Sequence, residues 1–181
     1  MTVYIALLRA VNIVGHNRVP MAELRAMLED LGMRDARTLL QSGNAVFRSE
    51  RRDGAGLERL LEGAIAQRLR VQTDVFVRTA AEWRKVIAGN PFPREAQRDP
   101  GRLVLFSLVE APGAKAVTAL REAITGREVL RASGRSAYVI FPDGTGRSRL
   151  TSTLIEKKLG TRGTGRNWNT VLKLGELAGA L

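Results

Sequence analysis

Two Ser-Gly pairs, Ser42-Gly43 and Ser133-Gly134, fall at matching points of two similar stretches. Glycine accepts the positive φ of a tight hairpin turn, so each pair divides one β-prone run from the next. Around the first, residues 3–11 are rich in strand formers. Met21, Leu24, Met27, Leu28 and Leu31 then recur at helical spacing, with Gly32 as a stop. Residues 37–41 and 45–49 read as the hairpin strands about Ser42-Gly43-Asn44. Leu57, Leu60, Leu61, Ile65 and Leu69 mark a second helix, and 73–78 a fourth strand. The order is βαββαβ.

That order then restarts. Residues 103–109 read as a strand, and 114–124 as a helix with Val117, Leu120 and Ile124 on one face. Residues 128–131 and 137–141 form a hairpin about Ser133-Gly134-Arg135. Leu150, Leu154, Ile155 and Leu159 mark a helix ended by Gly160, and 163–166 supply a last strand. The expected fold is α+β: two tandem ferredoxin-like βαββαβ units with antiparallel sheets, plus an extra C-terminal helix on Val171, Leu174, Ala178 and Leu181. The expected boundaries are 1–79 for the first unit, 80–101 for a connector helix and loop, and 102–181 for the second unit with its C-terminal helix.

This threading brings particular loops together. In each unit the β1–α1 loop, the β2–β3 turn and the α2–β4 loop share one end of the sheet. In the first unit that end collects 12–17, 42–44 and 70–72; in the second, 111–113, 133–135 and 160–165. Polar loops on a rigid scaffold are where function concentrates.

Composition excludes some chemistry. The chain has no cysteine and one histidine, His16, which removes disulfides, thiolate nucleophiles and cysteine- or histidine-rich metal sites. No cofactor motif is present: neither the P-loop nor the dinucleotide fingerprint occurs. No apolar run is long enough for a membrane span, and residues 1–9 lack a basic leader, so a cytoplasmic location and no membrane partner are expected. The formal charge of +11 suits an anionic partner, nucleic acid or a phosphorylated small molecule. A GC-rich genome would yield the same excess of 24 arginines over 5 lysines, and both explanations stay open.

The candidate site residues lie in the loops. Arg9, Asn12 and Asn17 offer a guanidinium fork and amides that both donate and accept; the competing view is that the asparagines satisfy their own loop. Ser42 and Asn44 belong first to a hairpin turn. Ser42 has no evident base or oxyanion hole, and a pairing with His16 lacks an orienting carboxylate. Residues 144–148 and 160–166 are basic and glycine-rich, a composition that can cradle phosphate. In the closing stretch, Asn167 or Asn169 suits a helix N-cap, leaving Arg166 and the second asparagine as ligand candidates beside Trp168. Tyr4 and Phe47 are too few for base-stacking on the sheet and are expected in the core.

Taken in order, 7–17 (LLRAVNIVGHN), Val19-Pro20-Met21, Gln41-Ser42-Gly43-Asn44, Asn90-Pro91-Phe92 and Arg166-Asn167-Trp168-Asn169-Thr170 resemble the bacterial domain-of-unknown-function family sixteen-ninety-seven. The family pattern is L-L-R-G-I-N-V-G-G-K-N, closing with T-T-R-N-W-N-T. Here Ala10 and Val14 replace glycines, His16 a lysine and Gly165 a threonine. The resemblance implies an α+β fold with a ferredoxin-like duplication, and no established activity.

The leading expectation is a binding protein for an anionic ligand, with Arg9, Asn12, Asn17, Ser42, Asn44, Arg166, Asn167 and Asn169 as its polar contacts. An enzyme acting on a small phosphorylated metabolite is the alternative, weakened by the lack of a visible acid–base pair. A protein-interaction or structural module is the third.

Overall fold

A computed structural model describes every residue, Met1–Leu181. The first repeat comprises β1 (Thr2–Leu8), α1 (Met21–Asp30), β2 (Arg34–Leu39), β3 (Asn44–Ser49), α2 (Gly54–Leu69) and β4 (Val75–Thr79). The strands form an antiparallel sheet in the order β2-β3-β1-β4. Pro20 precedes α1 with its fixed φ, and Met21, Leu24, Met27 and Leu28 form the buried stripe. Tyr4, Ala6 and Leu8 alternate along β1 onto the core shared with Leu24, Leu28, Leu57, Leu61 and Ile65. Truncating Leu61 to alanine costs about 2–5 kcal/mol, since the cavity adds to the lost transfer energy. Ile5 and Leu7 on the other face are buried as well. That is why residues 3–8 read as a continuous apolar run rather than an alternation.

The second repeat comprises β5 (Leu103–Leu108), α5 (Ala114–Glu122), β6 (Val129–Ser133), β7 (Ser136–Ile140), α6 (Ser152–Leu159) and β8 (Gly163–Asn167), in a sheet ordered β6-β7-β5-β8. Val104, Phe106, Leu108, Leu120, Val139 and Ile155 belong to its core. Thr151 caps α6 by accepting the Leu154 N–H at 3.2 Å, and Gly160 ends the helix in the left-handed region at φ 67.

The repeat is one element longer than βαββαβ. β4 runs directly into α3 (Ala80–Ala88), as β8 runs directly into α7 (Trp168–Gly179). The last strand residue caps the helix each time. Thr79 and Glu82 form a reciprocal box: Thr79 N–H donates to Glu82 Oε2 at 2.7 Å, and Glu82 N–H to Thr79 Oγ1 at 3.1 Å. In the second repeat Asn167 Oδ1 accepts the Thr170 N–H at 3.0 Å. The C-terminal helix thus has a counterpart in α3. A short α4 (Pro93–Arg98) and a 3₁₀ turn (Pro100–Arg102) occupy the turn-rich stretch before β5. By contacts the chain divides into two compact units, Met1–Lys85 with Lys173–Leu181, and Val86–Leu172. No helix is long and apolar enough to cross a membrane.

Candidate functional site

The three loop segments of the first unit meet as the threading requires. Leu8 N–H donates to Gly43 O at 2.8 Å, and Arg9 N–H to Asp74 O at 3.0 Å. Beyond Arg9 the chain makes a small hairpin: Asn12 N–H donates to Asn17 O at 3.0 Å and His16 N–H to Ile13 O at 2.8 Å. Val14 and Gly15, at φ 35 and 80, form its apex, both positive as in the turns that suit strand twist. Ala10, Asn12 and Asn17 also have positive φ, at 52, 54 and 50. Asparagine and glycine accept that region; at alanine and valine it costs about 1–2 kcal/mol each.

Side chains hold this loop in place. Asn12 Nδ2 donates to Val19 O at 2.9 Å and Gln41 O at 2.6 Å, while its Oδ1 accepts the Val19 N–H at 2.8 Å. Asn17 Nδ2 donates to Ala10 O at 3.1 Å. Asn44 is fully buried, its Nδ2 shared between Leu39 O at 2.8 Å and Ser42 Oγ at 2.9 Å. Of the expected ligand contacts, Asn12 and Asn44 are therefore framework: their amides satisfy backbone and turn. Arg9, Asn17 and Ser42 come together at the same end.

Arg9 and Asn17 open onto a cleft of about 530 Å³, lined also by Arg59, Glu62, Gln72 and Asp74. Arg9 Nη1 sits 3.3 Å from Asp74 Oδ2, which orients the guanidinium. Thr73 Oγ1 donates to Arg9 O at 2.7 Å and fixes the strand end beneath it. The helical wall is the polar face of α2, where the small residues Gly63 and Ala66 follow Arg59 and Glu62. Glu62 Oε1 accepts the Val75 N–H at 2.9 Å, and Glu58 Oε1 the Val77 N–H at 2.8 Å. The free edge of β4 is thereby closed by carboxylates one helical turn apart. Arg59, Glu62, Thr73 and Asp74 were not among the sequence candidates. The helical spacing of Arg59, Glu62, Gly63 and Ala66, opposite Leu57, Leu61 and Ile65, was the available signal.

The C-terminal candidates Arg166, Asn167 and Asn169 belong to the second unit. Gly163 and Gly165 lie within β8, not in a phosphate loop, and they are glycine for packing. A Cβ at Gly163 would stand 2.8 Å from Leu108 Cδ2, and one at Gly165 2.9 Å from Phe106 Cε1. Residues 144–148 hold a 3₁₀ turn, and a Cβ on Gly144 would stand 2.5 Å from Arg102 Nη1. Arg166, on the opposite face of β8, is 8% exposed and donates to Thr164 Oγ1 at 2.8 Å and Gly165 O at 2.9 Å. Burial lowers its pKa to about 10, so it keeps its proton at neutral pH. Asn167 is the N-cap of α7, and Trp168 packs its ring 6.2 Å from that of Tyr138. Since Leu108 pairs with Gly163 and Val104 with Asn167, Asn167 stands at the far end of its sheet from the 160–163 loop. Tyr4 and Phe47 are core residues with ring centroids 6.0 Å apart.

Residues 1–138 match the family described as "Protein of unknown function (DUF1697)". The chain belongs to the DUF1697 family. It is also similar in structure to the conserved bacterial protein SP0830 from Streptococcus pneumoniae, with a TM-score of 0.74, 26% identity and 98% of each chain covered. No curated protein matches the chain. The two places where this chain departs from the glycines of the DUF1697 pattern, Ala10 and Val14, both have positive φ. Glycine at those positions is accounted for by backbone conformation alone.

Proposed function

We propose that this DUF1697 protein binds a small anionic ligand, a phosphorylated molecule of about nucleotide size, in the cleft beside Arg9. The observation that carries the reading is the Arg9–Asp74 arrangement: a partly exposed guanidinium, held by a carboxylate at 3.3 Å, at the mouth of a cleft of about 530 Å³. That volume is in the range of small-molecule sites. Arg59 and Arg9 bring two cations to it, Asn17 and Gln72 add amides, and Glu62 is occupied by a strand N–H. Selection of an anion here comes from the placement of donors, since the cleft holds as many carboxylates as cations. A cleft with two arginines balanced by two carboxylates favours a small phosphorylated molecule over a nucleic-acid duplex, whose binding needs an extended basic surface. Both carboxylates in the cleft have partners, which supports binding rather than acid–base turnover.

The test is calorimetric titration with inorganic pyrophosphate at low and high salt. Binding that weakens about tenfold in Arg9→Ala supports the reading, the size of one lost charge-assisted contact. Binding unchanged by Arg9→Ala, or none at low salt, overturns it.

A further inference from the structure

The repeat extends to the cleft itself. In the second unit Leu108 N–H donates to Arg135 O at 2.9 Å and Val109 N–H to Arg162 O at 2.9 Å, where Leu8 and Arg9 donate to Gly43 and Asp74. Glu156 Oε1 accepts the Gly163 N–H at 2.9 Å, as Glu62 accepts that of Val75. At this place the second unit has its own cleft, of about 520 Å³. Its helical wall is Thr153, Glu156 and Lys157, on the same i, i+3, i+4 face as Arg59, Glu62 and Gly63, with Gly160 just past the helix end. Thr161 stands for Thr73 and Arg162 for Asp74.

From this correspondence we infer a second anion-binding cleft in the second unit, with Lys157 and Arg162 as its cations and the Thr161 hydroxyl beside them. The arginine has changed sides of one hydrogen bond. In the first unit it is the residue whose N–H donates, Arg9; in the second it is the residue whose carbonyl accepts, Arg162. Each cleft keeps one guanidinium at the junction of its first and last strands. Lys157 stands at the position of Gly63, so the second cleft has an ammonium where the first has the Arg59 fork one turn away. Thr161 Oγ1 accepts the Glu110 N–H at 3.0 Å, which fixes that hydroxyl at the cleft wall. The second cleft takes its ligand class from the first and so rests on the reading given above.

The experiment is a pyrophosphate titration of the full chain followed by amide NMR, which reads the two clefts through different residues. Saturable shifts at Val109, Thr161 and Arg162, in addition to those at Arg9 and Thr73, are expected. The double variant Lys157→Ala/Arg162→Ala should weaken the first set about tenfold or more and leave the second in place. Both substituted side chains are exposed, so the variant is expected to keep the wild-type spectrum elsewhere. Shifts confined to Arg9 and Thr73 overturn the second cleft and leave the first standing. Shifts confined to Val109, Thr161 and Arg162 do the reverse. No saturable shift at either place overturns both.

Discussion

The Nδ2 of Asn12 lies 2.6 Å from the Gln41 carbonyl oxygen, tying the β1–α1 loop to the β2–β3 turn across 29 residues of chain. The same side chain accepts and donates to Val19. Asn12→Ala removes all three bonds and leaves a part-buried N–H without its acceptor. It is expected to cost roughly 2 kcal/mol of stability, read as a lower urea midpoint. Asn12→Asp keeps the acceptor for the Val19 N–H but sets a carboxylate oxygen against the Val19 and Gln41 carbonyls, and should cost at least as much as Asn12→Ala.

Val14 is 92% exposed at φ 35, a β-branched residue in the left-handed region with little packing to lose. Val14→Gly relieves the strain at the cost of a freer unfolded chain, for a net gain of about 0.5–1 kcal/mol. Ala10→Gly should gain less. A urea midpoint that drops in Val14→Gly would mean that the exposed valine makes a stabilising contact after all.

Glu58 and Glu62 close the outer edge of β4. Replacing both by alanine strips Val75 and Val77 of their acceptors and exposes an unprotected strand edge. The expected outcome is a loss of about 2 kcal/mol or more, together with concentration-dependent aggregation visible by light scattering. Glu58→Gln/Glu62→Gln keeps an acceptor oxygen at each place and should aggregate far less.

Tyr138 and Arg166 both pair with Leu105, from either side and on one face of the sheet. Burial raises the Tyr138 hydroxyl above its ordinary value of 10.0, and the hydroxyl donates to Val86 O at 2.8 Å. The unfolded chain therefore loses this proton first. The contribution of Tyr138 to stability is full below pH 10 and is lost as pH rises through the higher folded value. The difference in unfolding free energy between wild type and Tyr138→Phe should be constant at neutral pH and shrink in that alkaline window. A difference that stays flat to higher pH would show that the folded protein does not hold the proton.

Much of this architecture is legible in the residues. The apolar spacing of α1 and α2 and the two Ser-Gly turns predict both repeats, and the turns have the positive φ they need, 76 at Gly43 and 54 at Gly134. Loop convergence follows from chain direction. The site was harder to read because its parts mimic ordinary features. Arg59 and Glu62 look like solvated charges on a helix, and only the fold shows that they border a cleft. Residues 160–166 look like a phosphate loop because the glycines of β8 hide its alternation; they are small to admit Phe106 and Leu108. Asn12 and Asn44 resemble ligand contacts, yet the nearest carbonyls take their amides. Ala10 and Val14 give no local cue to a left-handed backbone, since neither residue prefers it.

The arginine that changes sides of a single backbone bond shows that the two copies of this plan are not identical. Each copy carries its own strand ladder, its own helical glutamate bonded to the rim strand and its own recess. Either recess can be altered without touching its twin, and the swap from Arg9 to Arg162 is an alteration of that kind.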